Sequence, residues 1–254
     1  MTSRRFDLAS AGFAGGERYE RARPGYPADA IAALCAACGI EPGRAVLDLA
    51  AGTGKLTREL VACGSHVTAV EPVAGMRGQL AATVPGIQII DGTAERLPVD
   101  DASVDVVTVG QAFHWFDGPA ALKEIRRVLV PGGAIGLVWN VMDRNVPWVG
   151  RVQELIHRHR GPNPWYSGHA WRAAFTPDCG FGELQHRVFV NTQPVDIASL
   201  VDRVASIRFI ATLPDGERSV LMDEVRQIVA EELPGQARFA IPYVTDAFWS
   251  HRVG

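Results

Sequence analysis

The segment Val46-Leu-Asp-Leu-Ala-Ala-Gly-Thr-Gly-Lys-Leu-Thr57 constrains the fold of this chain more than any other. A short apolar run ends in a turn carrying Gly52 and Gly54, and a helical pattern opens just behind it. Glycines in such a turn let the backbone approach a ligand closely, and the first turn of the helix leaves amide donors unpaired. Glu71 closes the next apolar run, 19 residues after Gly52. Strand, glycine turn, helix and strand-end acid together read as one unit of a parallel sheet.

The alternation continues along the chain. Helices are expected at Pro27–Cys38, Leu56–Cys63, Val73–Thr83 and Ala120–Val130, the second ended by Gly64 and the last by Pro131-Gly-Gly133. Strands are expected at Ala45–Ala50, His66–Val70, Ile87–Ile90, Val104–Val109 and Ala134–Trp139. Their near-continuous apolar character fits burial on both faces. After Asn140 the pattern changes to helices at Pro147–Arg160, Asp196–Phe209 and Leu213–Leu233, the last with a start signal in Thr212, Pro214 and Asp215. Strand-like runs are expected at Leu184–Asn191 and Ala237–Val244. The expected class is therefore α/β, with one domain in four stretches: a leader (1–27), a core (28–140), a helical insert with a strand (141–235) and a final strand (236–254).

Composition narrows the function classes. With 254 residues, 28 acids against 25 Lys plus Arg, and a net charge of -3, nothing favours a nucleic-acid binder. The uncharged stretches are too short or too broken to span a membrane, which takes about 20 apolar residues. The four cysteines form no disulfide framework, so a reducing cytoplasm is the expected compartment. Cys35-x-x-Cys38 sits in an Ala-rich helical stretch without the second pair that a zinc site needs, so no metal is expected.

A strand-end acid such as Glu71 can accept hydrogen bonds from both ribose hydroxyls of an adenosine group. This suits either a dinucleotide or an S-adenosyl cofactor. Two features tilt the choice to the latter. The third glycine that packs a helix close behind a pyrophosphate is missing, and Asp48 lies inside the strand where it can face a cationic group.

Several motifs in order then resemble the class I S-adenosylmethionine-dependent methyltransferases of the small-molecule (type 11-like) kind. Val46-Leu-Asp-Leu-Ala-Ala-Gly-Thr-Gly is similar to the family's first motif, and Val70-Glu71-Pro72 with Met76 to its second. Asp91-Gly-Thr-Ala-Glu95 with Leu97-Pro98 resembles the adenine-contact segment. Ser103-Val-Asp-Val-Val resembles the fourth strand, and Arg127-Val-Leu-Val-Pro-Gly-Gly133 the approach to the fifth. The resemblance covers residues 45 to 140. The leader, with Tyr19, Arg23 and Tyr26, resembles that of one subgroup.

The resemblance implies a Rossmann-like, doubly wound, seven-stranded, mostly parallel sheet with its last strand antiparallel, in a three-layer αβα sandwich. It places the methionine end of the cofactor on Ala50, Ala51, Gly52, Thr53 and Gly54, with Asp48 behind. The ribose falls at Glu71, and the adenine at Pro72, Met76, Gly92, Thr93, Ala94 and Glu95. Gln111 and Ala112 back the sulfonium. Ala50-Ala51 departs from the commoner Gly-containing pair of that loop. The leader, through Tyr19 and Arg23, is expected to close over the cofactor.

Methyl transfer from a sulfonium needs alignment and exclusion of water, and a base only when the acceptor arrives protonated. Gln111-Ala-Phe-His-Trp-Phe-Asp117 leaves the carboxyl end of the fourth strand, where open α/β sheets place ligands. His114 is the candidate catalytic base there, with Trp115, Phe116, Trp139 and Asn140 lining the pocket of a small-molecule acceptor. Three rival readings stay open at this point. These are a NAD-dependent oxidoreductase, a non-catalytic cofactor-binding partner subunit and, more weakly, an RNA methyltransferase. Asn163-Pro-Trp-Tyr resembles a motif of nucleic-acid amino-methyltransferases but stands far from the fourth strand where that motif belongs. His157-Arg-His-Arg160 reads as a solvated helix face.

Overall fold

The computed structural model describes residues 22–161, 166 and 169–254. Seven strands form one sheet: β1 (Ala45–Leu49), β2 (His66–Val70), β3 (Gln88–Ile90), β4 (Val104–Gly110), β5 (Leu129–Met142), β6 (Gln185–Val195) and β7 (Phe239–His251). Their order across the sheet is β3-β2-β1-β4-β5-β7-β6. The first five are parallel neighbours. β7 runs the other way: Arg252 N–H donates to the Gly133 carbonyl at one end of the β5 pairing (2.8 Å), and Asp143 N–H to that of Pro242 at the other (2.9 Å). The chain therefore has the Rossmann-like, mostly parallel sheet with one antiparallel strand, flanked by helices.

Eight α-helices stand among the described residues: α1 (Ala28–Cys38), α2 (Lys55–Ala62), α3 (Ala74–Thr83), α4 (Gly118–Val128), α5 (Pro147–Arg158), α6 (Ile197–Ala205), α7 (Arg208–Ala211) and α8 (Asp215–Glu232). The described residues group into two compact units. Among the described residues, the first comprises 25–139, 166, 169–189 and 245–254; the second comprises 22–24, 140–161 and 190–244.

In the first unit, alternate strand residues point to opposite faces. Val46, Val67, Val106, Ala134 and Val138 pack against Ala30, Ile31, Leu34, Cys35 and Cys38 of α1 and Leu56 and Leu60 of α2. Farther along the same face, Ala69 meets Leu80 of α3 and Val84. Leu47, Leu49, Val107, Val109, Ile135 and Leu137 fill the opposite face and are all fully buried. The C-x-x-C pair lies on α1, both thiols buried, with Cys35 Sγ 3.2 Å from Cys63 Sγ. In the second unit, Trp148 of α5 packs edge-on against Phe239 (5.6 Å). Arg151 pairs with Glu231 and Glu232 of α8 (2.7 and 2.8 Å).

Several boundaries differ from the sequence reading. α4 starts earlier because Asp117 caps it, accepting from Ala120 N–H, with Pro119 in the first turn. β5 begins at Leu129, ahead of Pro131-Gly-Gly133, because Leu129 already pairs with Val104 before the register shifts to Val106↔Ala134. The helix expected at Asp196–Phe209 is two helices, broken at Ser206-Ile207. α8 starts at Asp215 behind Pro214, while the Thr212 hydroxyl turns back to the Phe209 carbonyl and caps nothing. β6 and β7 run longer than expected, and they are neighbours in the sheet.

Candidate active site

The glycine loop is pinned from two sides. Gly54 has φ +93°, and a Cβ there would meet Leu80 Cδ1 at 2.6 Å and Val84 Cγ2 at 2.9 Å. Glycine thus lets the loop sit against α3. The Thr83 hydroxyl donates to the Thr53 carbonyl (2.7 Å) and ties the same helix to the loop. Gly52 is the reverse case: at φ +61°, a Cβ would meet nothing nearer than the Ala50 carbonyl oxygen at 4.0 Å. Its outer side is open to an approaching ligand.

Glu71, at the end of β2, spans the loop and the next turn. Its Oε2 accepts from Gly52 N–H and its Oε1 from Val73 N–H, both at 2.9 Å. A carboxylate has about four acceptor positions, so each oxygen keeps one for a further donor. Burial raises its pKa, and the two amide bonds oppose that rise. Arg77 braces the turn behind it, donating to the Glu71 and Pro72 carbonyls (2.9 and 2.8 Å) and pairing with Asp91 (3.0 Å).

Asp48 lies behind the loop with no exposed surface. Both carboxylate oxygens are engaged, by the Thr57 hydroxyl (2.7 Å) and the Thr108 hydroxyl (2.9 Å). It therefore ties β1 to α2 and β4 from behind the loop. Burial pushes its pKa up to about 7, against the pull of the two hydroxyls, and the Glu71 carboxylate nearby adds to the rise. The sequence motif includes Thr57 without giving it a partner, and Thr108 is absent from it. Thr108 is the strand partner of Asp48, which only the register between β1 and β4 reveals. Thr57 had a local signal, a hydroxyl one turn into the helix behind the acid-bearing strand.

On the adenine side, Met76 of α3 and Ala94 are buried. Gly92 lies where a Cβ would be 2.8 Å from Pro98 Cδ and 3.1 Å from Val70 Cγ1, so the Leu97-Pro98 segment folds back over it. Thr93 and Arg96 form a bridge within this segment. Glu95 accepts from Asp117 N–H (2.9 Å), linking the segment to the start of α4. Arg127, which the sequence reading assigned no role, holds the far side through the Leu97 and Val99 carbonyls (2.9 and 2.8 Å).

At the end of β4, Gln111 adopts φ +61°, a conformation uncommon for a residue with a side chain. Its N–H donates to the Val138 carbonyl (2.9 Å), and after Ala112 a single helical turn, Phe113–Trp115, follows. A Cβ on Gly110 would lie 2.7 Å from the Tyr26 hydroxyl, so Tyr26 covers this strand end. His114 Nδ1 accepts from Trp139 Nε1–H (3.2 Å), and burial holds the imidazole down to about 4. A neutral ring whose Nδ1 is already an acceptor carries its proton on Nε2. His114 is thus set to donate a hydrogen bond, and the lone pair that the proton-abstracting role needs is taken.

Trp139 differs from its expected place in the pocket wall. It is fully buried, with Tyr166 and Trp171 stacked on it at 4.6 and 4.8 Å and Phe248 edge-on at 5.9 Å. It belongs to this aromatic cluster and reaches the site through its hydrogen bond to His114. Phe116 packs against Phe113 (5.5 Å), and Trp115 lies beside His114 (5.2 Å), both partly exposed.

Arg23 and Asn140 belong to the second unit, where Asn140 accepts from the Asn191 amide (3.1 Å). Tyr19 and residues 163–165 of the Asn-Pro-Trp-Tyr run lie outside the described residues. His157 bonds to the Gln153 carbonyl one turn back on α5 (2.8 Å). Among the described residues, no group of three or more His, Cys, Asp or Glu is arranged to hold a metal ion.

Comparison with known proteins agrees with this geometry. Residues 47–137 match the model of a methyltransferase domain. An uncharacterized methyltransferase of Mycobacterium tuberculosis is 42% identical over 248 residues, covering 96% of this chain and 97% of that protein. Among solved structures, a candidate type II methyltransferase from Anaeromyxobacter dehalogenans superposes with a TM-score of 0.66 at 23% identity, over 91% of this chain and 96% of that one. A Haemonchus contortus phosphoethanolamine N-methyltransferase, solved with phosphomonomethylethanolamine and S-adenosylhomocysteine, gives 0.58 at 13% identity, over 100% and 61% of the two chains. With a relative this similar over nearly its whole length, and the loop, strand-end acid and strand order all in place, the chain belongs to the class I S-adenosylmethionine-dependent methyltransferases.

Proposed function

We propose that the protein transfers the methyl group of S-adenosylmethionine to a small-molecule acceptor by in-line displacement. The observation that carries this reading is the Glu71 carboxylate, fixed on the Gly52 amide at the end of β2 with an acceptor position left on each oxygen. Two vicinal ribose hydroxyls fit those positions. The open side of Gly52 admits the methionine end along Ala50–Gly54. Pro72, Met76 and Gly92–Glu95 supply the adenine wall. When bound, the cofactor supplies a methyl group already activated by a sulfonium.

The chain's own residues then have three tasks. Asp48 and Glu71 place two buried carboxyls beneath a cationic ligand, whose charge favours their ionised forms. Gln111 and Ala112 close the end of β4. His114 offers an Nε2–H donor to an acceptor oxygen or nitrogen and orients it, so the reading needs no proton removal by this side chain. The acceptor class favoured by composition is a small molecule, not nucleic acid. The free thiols support a reducing, cytoplasmic setting, and no helix of the described residues is long and apolar enough to cross a membrane.

Calorimetric titration with S-adenosylhomocysteine and with NADH separates this reading from an oxidoreductase. Release of labelled methyl separates it from a cofactor-binding subunit. Glu71→Gln, which keeps the shape and drops the charge, should weaken S-adenosylhomocysteine binding by roughly 10- to 100-fold, the worth of one or two charge-assisted hydrogen bonds. Unchanged affinity would sink the ribose assignment.

A further inference from the structure

The second unit carries a buried cation with no counter-ion among the described residues. Arg203, on α6, is only 6% exposed. Its Nε–H donates to the Tyr243 hydroxyl (3.3 Å), and that hydroxyl donates onward to Gln193 Oε1 (2.9 Å). Gln193 uses its amide on the Ala22 carbonyl (3.4 Å). Every member of this relay is neutral. Arg203 Nη1 is buried with no hydrogen-bond partner, and none of the ion pairs among the described residues includes Arg203.

A guanidinium keeps its proton at any ordinary pH, so it cannot shed its charge as a buried lysine can. An unpaired buried ion is among the least favourable arrangements in a folded chain, and structural arginines are accordingly found paired. The surroundings are otherwise built for polar recognition. Asn191 and Gln193 alternate onto one face of β6, and Asn191 is fixed on Asn140. Tyr243 stands between Gln193 and Arg203 and holds the guanidinium in place.

We propose that this unit binds a small molecule through a carboxylate received by Arg203 Nη1. One guanidinium matches one negative charge, and its planar donors match a two-oxygen planar group. A phosphate dianion would leave excess charge in the same buried place. The site does not depend on the methyl-transfer reading, since every residue of it lies in the second unit.

The test uses the full chain. Wild type, Arg203→Met and Arg203→Lys are titrated by calorimetry with acetate, succinate, benzoate and, separately, inorganic phosphate at millimolar concentration. Each protein is also titrated with S-adenosylhomocysteine. At least one carboxylate should bind wild type, on the order of tenfold or more weakly to Arg203→Met, with Arg203→Lys between them. S-adenosylhomocysteine affinity should be the same in all three. Without ligand, Arg203→Met should melt no lower than wild type, because it removes an unpaired charge while keeping volume. A side chain that merely braces the fold predicts the reverse, a lower melting temperature. The proposal is overturned if no carboxylate binds, if phosphate alone binds, or if Arg203→Met binds carboxylates as wild type does. Label transferred from S-adenosylmethionine to the bound carboxylate makes the ligand the acceptor. Binding without label makes it an effector. Either supports the site.

Discussion

Gly54 and Gly52 occupy one loop, both at positive φ, yet alanine should have opposite consequences at the two positions. At Gly54 the new methyl would lie 2.6 Å from Leu80 Cδ1 and 2.9 Å from Val84 Cγ2. Leu80 is fully buried against Ala69 and Val84, and Val84 is β-branched, so neither can swing clear. The left-handed backbone costs about 1–2 kcal/mol for a residue with a side chain, and overpacking adds about 1–3 kcal/mol. Gly54→Ala should therefore lose roughly 2–5 kcal/mol, a large part of the 5–15 kcal/mol typical of a domain. At Gly52 nothing lies closer than 4.0 Å. There the backbone cost stands alone. Gly52→Ala should therefore lose no more than about 1–2 kcal/mol in urea unfolding. Its methyl would instead occupy the side from which a ligand approaches, so S-adenosylhomocysteine binding should fall at least tenfold. Equal stability losses in the two variants would refute the packing argument. Full affinity in Gly52→Ala would refute the open face as the ligand's approach.

Two further predictions concern protonation. With a native pKa of about 7 against an ordinary value of 3.8, Asp48 holds a proton that the unfolded chain has lost. Stability then falls as pH rises toward and through the native pKa, by on the order of 1 kcal/mol between pH 6.5 and 8 for this group alone. Asp48→Asn should flatten that decline in urea midpoints, and an identical slope would show that another group titrates. His114 has the opposite sign: its native pKa of about 4 lies below the ordinary 6.5, so its contribution is lost as pH falls from 6.5 toward 4. Nitrogen NMR of the imidazole should show the Nε2-protonated tautomer down to about pH 5, and titration near 6.5 would restore it as a candidate base.

The βαβ half of the fold was legible because its signals are local. Buried strands read as apolar runs, and Gly64 and Pro131 punctuate the pattern where the chain turns. Glu71 was found because its distance from Gly52 is set by one helix and one strand. What stayed hidden depends on partners that spacing does not announce. Thr108 reaches Asp48 only through the register of β1 on β4. Arg127 acts on carbonyls 28 and 30 residues away. Trp139 reads as a pocket wall from its position at a strand end. Its burial follows from Tyr166, Trp171 and Phe248, which arrive from distant stretches of chain. Strand lengths after Asn140 were underestimated for the same reason, since the inserted β7 supplies pairing that no local pattern encodes.

The placement of backbone strain points to the same site by an independent route. Four non-glycine residues among those described have positive φ, and two of them are Ala50 and Gln111. Ala50 directly follows β1 and Gln111 directly follows β4. In the order β3-β2-β1-β4-β5 these are the two strands from which the connections run in opposite directions across the sheet. The carboxyl ends of such a pair diverge and leave a crevice that loops cannot fill. Ordinary turns would bury that crevice or cross it, whereas a left-handed residue right at the strand end turns each chain aside at a cost of about 1–2 kcal/mol. Ala51 N–H is then free to bond the Val70 carbonyl, and Gln111 N–H that of Val138. The strain is thus held in place by the adjoining strands, β2 on one side and β5 on the other, and the crevice between β1 and β4 stays open for a ligand.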